Sequence, residues 1–382
     1  GQTARGDAMN ASVANKQRVL IMAGGTGGHV FPALAVAKIL RQKGWQTEWL
    51  GTKNGIEARV VPENNFTLHC IPAVGLRGKG FGKLLVAPLY LLRAQWQSLK
   101  VFMQFRPDVV LGMGGFASGP GGLSAFIMRV PLVIHEQNAV AGTTNRILAK
   151  LAQRVLSAFP SVFARGEVVG NPVRDDIAAL AFAKKAIGFP DQPLHLLVLG
   201  GSQGAQALNK LLPLALALLP EAMRPEVFHQ AGNNLLEETR KNYQQANVNA
   251  RVEPFIEDMA AMYRWADLAV CRAGAMTVSE LTCAQLPALL IPLPSAIDDH
   301  QTANAQWLVK ANAARLLPQA TLDAELLATN LREVIENRQM LQVVSGAMKL
   351  LAKPESATLV ADICASVSKT NKRKNLEDRR HA

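Results

Sequence analysis

Three glycine-rich segments of the sequence each follow a short apolar run and precede a helix-like stretch: 24–28, 112–122 and 200–204. Backbone amides at such strand-to-helix turns can bind a phosphate or another anion. Glycine also serves tight turns and close helix packing, but three such turns in one chain favour anion recognition. The first turn is followed by His29, and histidine is a common general base that a phosphate cradle does not require. The sequence therefore points to anion binding and to a second chemical role at His29.

A further strand-to-helix segment, CRAGAMTVSEL at 271–281, combines backbone amides with charged side chains. Its pattern predicts a turn at 272–274 followed by a helix that begins near Ala275 or Met276, so that Arg272 and the first helical amides can bind a phosphate. Glu280 suits a bidentate grip on a ribose diol, and it equally suits an ordinary acid near a helix N-terminus. Arg174, in GNPVR, is either a surface cation or a ligand for a diphosphate.

Polar residues also cluster where two buried-type segments end. IHEQN at 134–138 is denser in polar groups than a packing turn requires, which favours a functional role. DDHQTANA at 298–305 can hydrogen-bond sugar hydroxyls or cap a helix. The sequence contains no Asp-x-Asp, the usual metal-holding pattern of metal-dependent sugar transferases. We therefore expect arginines and helix N-termini, and no metal ion, to stabilise the negative charge of a leaving group.

A nicotinamide-dependent oxidoreductase is the main competing class of enzyme. GGTGGH fits the dinucleotide pattern G-x-G-x-x-G only loosely. The acid expected on the ribose at the end of the next strand is also absent, because Glu48 comes before that strand ends. Both departures disfavour a dinucleotide site.

The elements that position these residues are apolar β-type runs separated by amphipathic helices, the pattern of parallel α/β sheets. The pattern restarts at HLLVLGG, which predicts two doubly wound Rossmann-like domains at 17–172 and 173–353, with a hinge near 171–174. A helix within 354–370 is expected to pack back on the first domain, and 1–16 and 371–382 are expected to be tails. Ligands bind at the carboxyl ends of such strands, so the glycine turns of both domains should face one cleft.

The amino-acid composition limits which binding partners and which cellular location the protein can have. The formal net charge of +12 is compatible with nucleic acid, an anionic membrane surface or an anionic substrate. The four cysteines are scattered without metal-site spacing, which predicts reduced thiols and a cytoplasmic location. The apolar stretches are interrupted by glycine and proline, so none is expected to span a membrane.

The segment 75–107 is basic and apolar and contains no acidic residue. It fits a core helix with a solvated basic face, and it fits an interfacial patch on anionic lipid, which we favour. Nucleic acid could use the same residues, but no nucleic-acid motif accompanies them, so we expect no nucleic-acid partner.

Eight segments together resemble the MurG family of bacterial peptidoglycan glycosyltransferases, within glycosyltransferase family 28. They occur in order across nearly the whole chain: GGTGGHVFPALAVA, LRGKG, VVLGMGGFASGPGG, HEQNAVAGTTN, VVGNPVR, LGGSQGAQALN, FIEDMAAMYRWADLAVCRAGAMTVSEL and DDHQTANA. The resemblance implies a GT-B fold and transfer of N-acetylglucosamine from UDP-N-acetylglucosamine to lipid I, which forms lipid II. It implies no cofactor and peripheral attachment to the cytoplasmic face of the inner membrane, and it leaves contacts with other cell-wall enzymes open.

The resemblance also implies binding residues. The donor set is Thr26, Gly27, Gly28, Asn138, Arg174, Ser202, Ile256, Arg272, Ala275, Met276, Thr277, Val278, Ser279, Glu280 and Gln301. The acceptor set is Gly25, His29, Phe116 and Glu136. Within the donor set, the backbone of Ile256 would contact uracil, Glu280 would bind the ribose, and Gln301 with His300 would contact sugar hydroxyls. Some members of the family carry tyrosine where this chain has Phe116, which puts a hydroxyl contact to the acceptor in doubt.

The implied reaction is an inverting transfer in which the acceptor's 4-hydroxyl attacks the anomeric carbon and UDP departs from the opposite face. The hydroxyl needs a general base near neutral pKa, which favours His29, with Glu136 as the alternative. Arg174, Arg272 and helix amides would meet the charge of UDP. Two other interpretations remain: a transferase of this fold for a soluble acceptor, and a membrane scaffold that binds nucleotide sugars without turnover.

Overall fold

The computed structural model divides the chain into two compact units, each built on its own parallel sheet. The described residues are 16–72, 81–185, 187–188, 192–201, 204–294 and 299–368. The first unit takes in the described residues up to Gln137, then Ala141–Pro172 and the described residues from Ser356 onward. The second comprises Asn138–Val140 and Val173–Glu355.

Seven parallel strands form the sheet of the first unit within the described residues, in the order β3-β2-β1-β4-β5-β6-β7. The strands are β1 Arg18–Met22, β2 Gln46–Gly51, β3 Thr67–Cys70, β4 Val109–Gly112, β5 Leu132–Glu136, β6 Arg154–Ser157 and β7 Glu167–Val168. The helices between them are α1 Gly27–Gln42, α2 Glu57–Glu63, α3 Phe81–Phe105, α4 Ser118–Ile127 and α5 Thr143–Leu148. Because β1, β4 and β5 are neighbours, their carboxyl ends lie side by side.

The second unit has a six-stranded parallel sheet in its described part, in the order β10-β9-β8-β11-β12-β13. Its strands are β8 His195–Leu199, β9 Glu226–Gln230, β10 Arg251–Glu253, β11 Leu268–Cys271, β12 Ala288–Leu290 and β13 Ala314–Leu316. Its helices are α6 Asp175–Ala178, α7 Gln206–Ala217, α8 Leu236–Gln245, α9 Met259–Trp265, α10 Ala275–Ala284, α11 His300–Lys310, α12 Ala324–Glu336 and α13 Gln339–Leu351. The last described helix, α14 (Ser356–Val367), packs on α1 in the first unit.

Burial on both faces of the sheets explains why the strands are continuous apolar runs. In β1, Val19 and Ile21 belong to one core cluster, whereas Leu20 and Met22 belong to another. Successive side chains of a strand point to opposite faces, so a strand covered by helices on both faces needs apolar residues at every position. This arrangement confirms the predicted fold class of two doubly wound α/β sheets.

Two further findings concern the sequence expectations on cysteines and membranes. Cys70, Cys271, Cys283 and Cys364 are all free thiols. No helix among the described residues combines the length and the apolar character needed to cross a membrane.

Candidate functional site

Two glycine turns meet at the carboxyl ends of β1 and β4 in the first unit. Gly25, Gly114 and Gly115 all have positive φ angles, which glycine adopts without strain. A Cβ added to Gly115 would lie 2.3 Å from the carbonyl oxygen of Gly24, and one added to Gly114 would lie 2.8 Å from the His29 ring. The glycines therefore allow the two turns to touch and allow the His29 ring to lie against the second turn.

A buried carboxylate lies directly behind the first of these turns. Glu57 has no exposed surface, and its Oε2 accepts a hydrogen bond from the amide of Gly25 at 2.9 Å. Its Oε1 accepts from the amide of Thr52 at 2.9 Å and from the Thr52 hydroxyl at 2.6 Å. The amide of Gly25 is thus already occupied by an acidic group, which is the opposite of what a phosphate cradle offers. Sequence reasoning missed Glu57, whose only signal was an acid at the start of a short helix.

His29 lies in the first turn of α1 and is half-buried. Its Nδ1 lies 2.9 Å from Oε1 of Gln137, the residue that follows β5. The fold thereby joins the first glycine segment to the IHEQN segment, although 108 positions separate the two residues. His29 is thus held at one ring nitrogen by a neutral amide.

Glu136, the alternative base, is bound inside the first unit. It is 2% exposed, and its Oε2 accepts from the amide of Gly142 at 3.1 Å and from Nδ2 of Asn145 at 2.9 Å. These contacts tie the carboxylate to the start of α5. Glu136 therefore has a clear structural role, whereas His29 keeps part of its ring at the surface.

The remaining first-half candidates lie around the start of α1 and after β4. Thr26 is the N-cap residue of α1, and its carbonyl oxygen accepts from the amides of His29 and Val30. Gly27 and Gly28 are the first two helical residues. Phe116 is half-buried and packs against the core cluster that contains Met22. Asn138 groups with the second unit, where its Oδ1 accepts from Nδ2 of Asn304 at 3.3 Å.

The second unit presents a helix N-terminus where β11 ends. Helix α10 begins at Ala275 after the N-cap Gly274, which provides no side-chain cap, so the partial positive charge of the helix N-terminus can attract an anion. Arg272 precedes the helix and donates from Nη1 to the carbonyl oxygens of Ile291 and Pro292, at 3.0 and 3.2 Å. Burial lowers the pKa of this guanidinium, which stays charged near neutral pH because arginine titrates so high. This turn is electropositive, unlike the turn above Glu57.

Glu280, which α10 carries, is held by a buried tyrosine. Tyr263 is 1% exposed and donates from its hydroxyl to Oε2 of Glu280 at 2.7 Å. Burial raises the pKa of Glu280, while the hydrogen bond from Tyr263 and the charge of Arg174 lower it. Burial also raises the pKa of Tyr263 well above its usual range, so its hydroxyl remains a donor. Sequence reasoning missed Tyr263, which reads as an ordinary core aromatic in MYRWAD.

Helix α9, which carries Tyr263, is fixed at its C-terminal end by a lysine. Lys185 donates from Nζ to the carbonyl oxygens of Tyr263, Arg264 and Ala266. Burial lowers the pKa of Lys185 to about 8, and the nearby Asp267 carboxylate opposes that shift. The amine therefore fixes the backbone that places the Tyr263 hydroxyl.

Three other candidates, Gln301, Arg174 and Ile256, lie in the second unit. Gln301, in the first turn of α11, accepts at Oε1 from the amides of Ala273 and Leu293, at 3.2 and 2.9 Å. Arg174 lies just before α6 and pairs with Asp176 at 3.1 Å. Ile256 follows β10 and is 4% exposed.

Ser202 lies outside the described residues. His300 is half-buried and begins α11. Among the described residues no group of three or more histidine, cysteine or acidic side chains has an arrangement that could hold a metal ion.

The turn after β8 is also built for close approach of the backbone. Gly204 has a φ of +78°, and a Cβ there would lie 2.1 Å from the carbonyl oxygen of Ala231. The same carbonyl accepts from Nδ2 of Asn209 at 2.9 Å, and Asn209 Oδ1 lies 2.9 Å from Nε2 of His229. Burial lowers the pKa of His229 to about 3, so it is a neutral structural group.

Comparisons with known proteins agree over nearly the whole chain. The glycosyltransferase family 28 N-terminal domain matches residues 19–157, and the C-terminal domain of the same family matches residues 195–360. Two relatives are named UDP-N-acetylglucosamine--N-acetylmuramyl-(pentapeptide) pyrophosphoryl-undecaprenol N-acetylglucosamine transferase. The one from Alkalilimnicola ehrlichii is 53% identical over 348 residues, which cover 91% of this chain and 98% of the relative. The one from Azotobacter vinelandii is 54% identical over 355 residues, covering 92% and 99%.

A solved structure shows the same architecture. The crystal structure of Acinetobacter baumannii MurG is 40% identical in sequence to this chain and superposes with a TM-score of 0.78. The match covers 92% of this chain and 99% of that one. Together with the family domains, this likeness confirms two Rossmann-like domains of the GT-B glycosyltransferase type.

Proposed function

This chain belongs to glycosyltransferase family 28, and we propose that it performs the reaction for which its MurG relatives are named. It transfers N-acetylglucosamine from UDP-N-acetylglucosamine to the N-acetylmuramyl-pentapeptide unit of lipid I, which forms lipid II for peptidoglycan. The observation that carries this function is identity above 50% over more than nine-tenths of the chain with enzymes of that name. A nicotinamide-dependent oxidoreductase is thereby set aside.

The chemistry is a single displacement at the anomeric carbon. The acceptor's 4-hydroxyl oxygen forms a bond to that carbon, the bond to the UDP oxygen breaks on the opposite face, and the configuration inverts. We assign His29 as the base that takes the hydroxyl proton, because its ring is half-exposed and its second nitrogen is held by Gln137. Glu136 instead serves the fold around α5.

The second unit is the donor site in this proposal. The amides that begin α10 and the guanidinium of Arg272 bind the diphosphate and stabilise the charge that develops on UDP. Arg174 adds positive charge beside Glu280, and Ser202 completes the diphosphate ligands expected from the family. Glu280, held at one oxygen by Tyr263, binds the ribose diol with the other.

The first unit is the acceptor site. Glu57 behind Gly25 disfavours an anion at the first glycine turn, so we assign this turn to the uncharged sugar of the acceptor. Phe116 and the second glycine turn lie next to it. This assignment explains why a titratable His29 accompanies glycines that bind no phosphate.

Lipid I is embedded in a membrane, and the first unit offers a surface suited to one. Helices α3, α4 and α5 pack side by side and expose large apolar side chains. These are Leu89, Tyr90, Leu91, Leu92, Trp96 and Met103 on α3, Leu123, Phe126 and Ile127 on α4, and Ile147 on α5. Exposed Arg93, Lys100, Arg129 and Arg146 accompany them. We call this set the α3–α5 surface.

The α3–α5 surface fits peripheral binding to the anionic cytoplasmic face of the inner membrane, where apolar side chains enter the lipid and cations meet the headgroups. It includes exposed residues of the predicted segment 75–107 between Leu89 and Met103. Residues 75–80 of that segment, with Arg77 and Lys79, lie outside the described residues.

Transfer of radiolabelled sugar from UDP-N-acetylglucosamine to a lipid I analogue tests the function. We expect labelled lipid II with or without a chelator of divalent cations, because arginines and helix amides meet the leaving charge. No transfer would contradict the proposed function. A strict metal requirement would contradict only the metal-free part, and transfer to soluble sugars alone would favour a transferase for a soluble acceptor.

A further inference from the structure

A chain of hydrogen bonds runs from the interior of the first unit to His29. His29 Nδ1 lies 2.9 Å from Oε1 of Gln137. The side-chain Nε2 of Gln137 lies 3.1 Å from Nδ1 of His135 and 3.1 Å from the His135 carbonyl oxygen. At the inner end, His135 Nε2 lies 2.8 Å from the carbonyl oxygen of Gly170.

The inner end of this chain fixes where protons sit. A carbonyl oxygen can only accept, so His135 must carry its proton on Nε2 to bind Gly170. His135 has no exposed surface, and burial lowers its pKa to about 4. The ring is therefore neutral at physiological pH, and its Nδ1 is an acceptor.

The proton position on His135 fixes the orientation of the Gln137 side-chain amide. One end of its amide faces two acceptors of His135, the ring Nδ1 and the main-chain carbonyl oxygen, so that end must be the NH2 group. The other end, Oε1, is then the atom that faces His29. An amide oxygen only accepts, so His29 must carry a proton on Nδ1.

A neutral imidazole has one N–H, and in His29 this group is on Nδ1. We propose that His135 and Gln137 are positioning residues that hold His29 in the tautomer whose Nε2 lone pair is free to take the proton of the acceptor hydroxyl. The opposite tautomer would place the Nδ1 lone pair against the Gln137 oxygen, which repels it. This inference rests on the proposed function only for the role of His29 as base; the tautomer itself follows from the hydrogen bonds.

The hydrogen bond between His29 Nδ1 and Gln137 Oε1 also stabilises His29 after it has taken the proton. When Nε2 takes the proton, the ring becomes an imidazolium, and the oxygen of Gln137 then accepts from a charged donor, which strengthens the bond. Gln137 supplies this help without a charge of its own. Enzymes that pair a catalytic histidine with an aspartate use a carboxylate for the same orientation.

The tautomer is measured directly on the whole chain by nitrogen-15 NMR of its seven histidines, with His29 assigned from the His29→Gln spectrum. At a pH where the ring is neutral, we expect proton coupling at Nδ1 of His29 and an unprotonated Nε2. In Gln137→Met, which keeps the length of the side chain but removes the amide, we expect both tautomers to be populated. A wild-type His29 that carries its proton on Nε2 overturns the inference.

Steady-state kinetics test whether Gln137 positions His29 for catalysis. We expect Gln137→Met to lower kcat about tenfold, which is less than the loss of about 100-fold or more expected when the general base itself is removed, and to change the KM for either substrate less than twofold. Ser356→Ala is the matched control, because the buried Ser356 hydroxyl also donates to the Gly170 carbonyl oxygen, at 2.8 Å, and its hydrogen bond does not involve Gln137 or either imidazole. The control should keep both kcat and the His29 tautomer.

The outcomes separate the two claims. Full turnover in His29→Gln would refute the role of His29 in the proposed function, whatever its tautomer. A kcat that falls equally in Gln137→Met and Ser356→Ala, with His29 unchanged in the spectrum, would show that Gln137 acts through stability alone and would overturn the positioning role. Thermal unfolding of each variant identifies loss of fold.

Discussion

The two units repeat one topology, a parallel strand, a turn and a helix, but they place opposite charges at the turns we assign to substrates. In the first unit, the buried Glu57 carboxylate occupies the amide of Gly25. In the second, the helix N-terminus at Ala275 has Arg272 beside it. A strand-to-helix turn is thus not a phosphate site by topology alone; the groups behind it decide which ligand it suits.

The difference follows the division of labour in a glycosyl transfer. The donor loses a diphosphate and needs positive charge, whereas the acceptor offers a neutral hydroxyl and needs a base. The glycine turn after β1 is next to His29. The turn before α10 precedes the helix that carries Glu280. Each of the following predictions tests one side of this contrast.

The largest effect is expected at the carboxylate behind the first turn. Glu57→Gln would turn an NH2 group toward backbone donors and should lower the free energy of unfolding by about 3 kcal/mol. The exposed Glu63→Gln, in the same helix, is the control and should be neutral. Urea unfolding measures both, and the KM for the lipid I analogue should rise only in Glu57→Gln. A lower KM for the lipid I analogue in Glu57→Gln would indicate that this turn binds an anion.

The ribose contact comes next. Glu280→Gln should lower kcat/KM for UDP-N-acetylglucosamine about thirtyfold, because it weakens a hydrogen bond that a charged group makes. The wild-type enzyme should prefer this donor to its 2′-deoxyuridine analogue, and Glu280→Gln should lose most of that preference. Steady-state kinetics with both donors check this, with the surface variant Glu333→Gln as control. An unchanged preference would remove Glu280 from the ribose site.

A smaller effect is expected at the tyrosine that holds Glu280. Tyr263→Phe removes one hydrogen bond and should raise the KM for the donor about fivefold, with kcat and the acceptor KM nearly unchanged. Tyr243→Phe is a matched control, since Tyr243 is also buried in the second unit but pairs with His229. An equal rise of the donor KM in both variants would mean that Tyr263 acts only through stability.

A single residue of the membrane surface should show a change about as small as that at Tyr263. Phe126, 57% exposed on α4, should add about 1 kcal/mol to vesicle binding, so Phe126→Ser should weaken binding to anionic vesicles about fivefold. Leu350→Ser, at a residue 86% exposed in the second unit, is the control and should have no effect. Sedimentation with vesicles measures both variants. Equal losses would place the binding surface elsewhere.

The sequence predicted the parts of this account that depend on local pattern. Continuous apolar runs indicated doubly wound sheets because both faces of each strand are covered. The start of α10 at Ala275 followed from a strand, a turn and a helix pattern in one short segment. These features require only neighbours along the chain.

The sequence did not reveal contacts that depend on which strands become neighbours. Glu57 reaches Gly25 across 32 positions, and Gln137 reaches His29 across 108, because the carboxyl ends of their strands meet at one edge of a sheet. No spacing rule connects such pairs. The assignment of the first turn to an anion or to a neutral sugar depends on Glu57, so only the fold could decide it.

In the reaction we propose, His29, and not Glu136, takes the acceptor proton. This assignment is tested most directly by kcat for sugar transfer in His29→Gln and Glu136→Gln, measured side by side on folded protein. We predict that kcat falls at least about 100-fold in His29→Gln and less than about tenfold in Glu136→Gln. Near-normal turnover in His29→Gln together with lost turnover in Glu136→Gln would contradict the account.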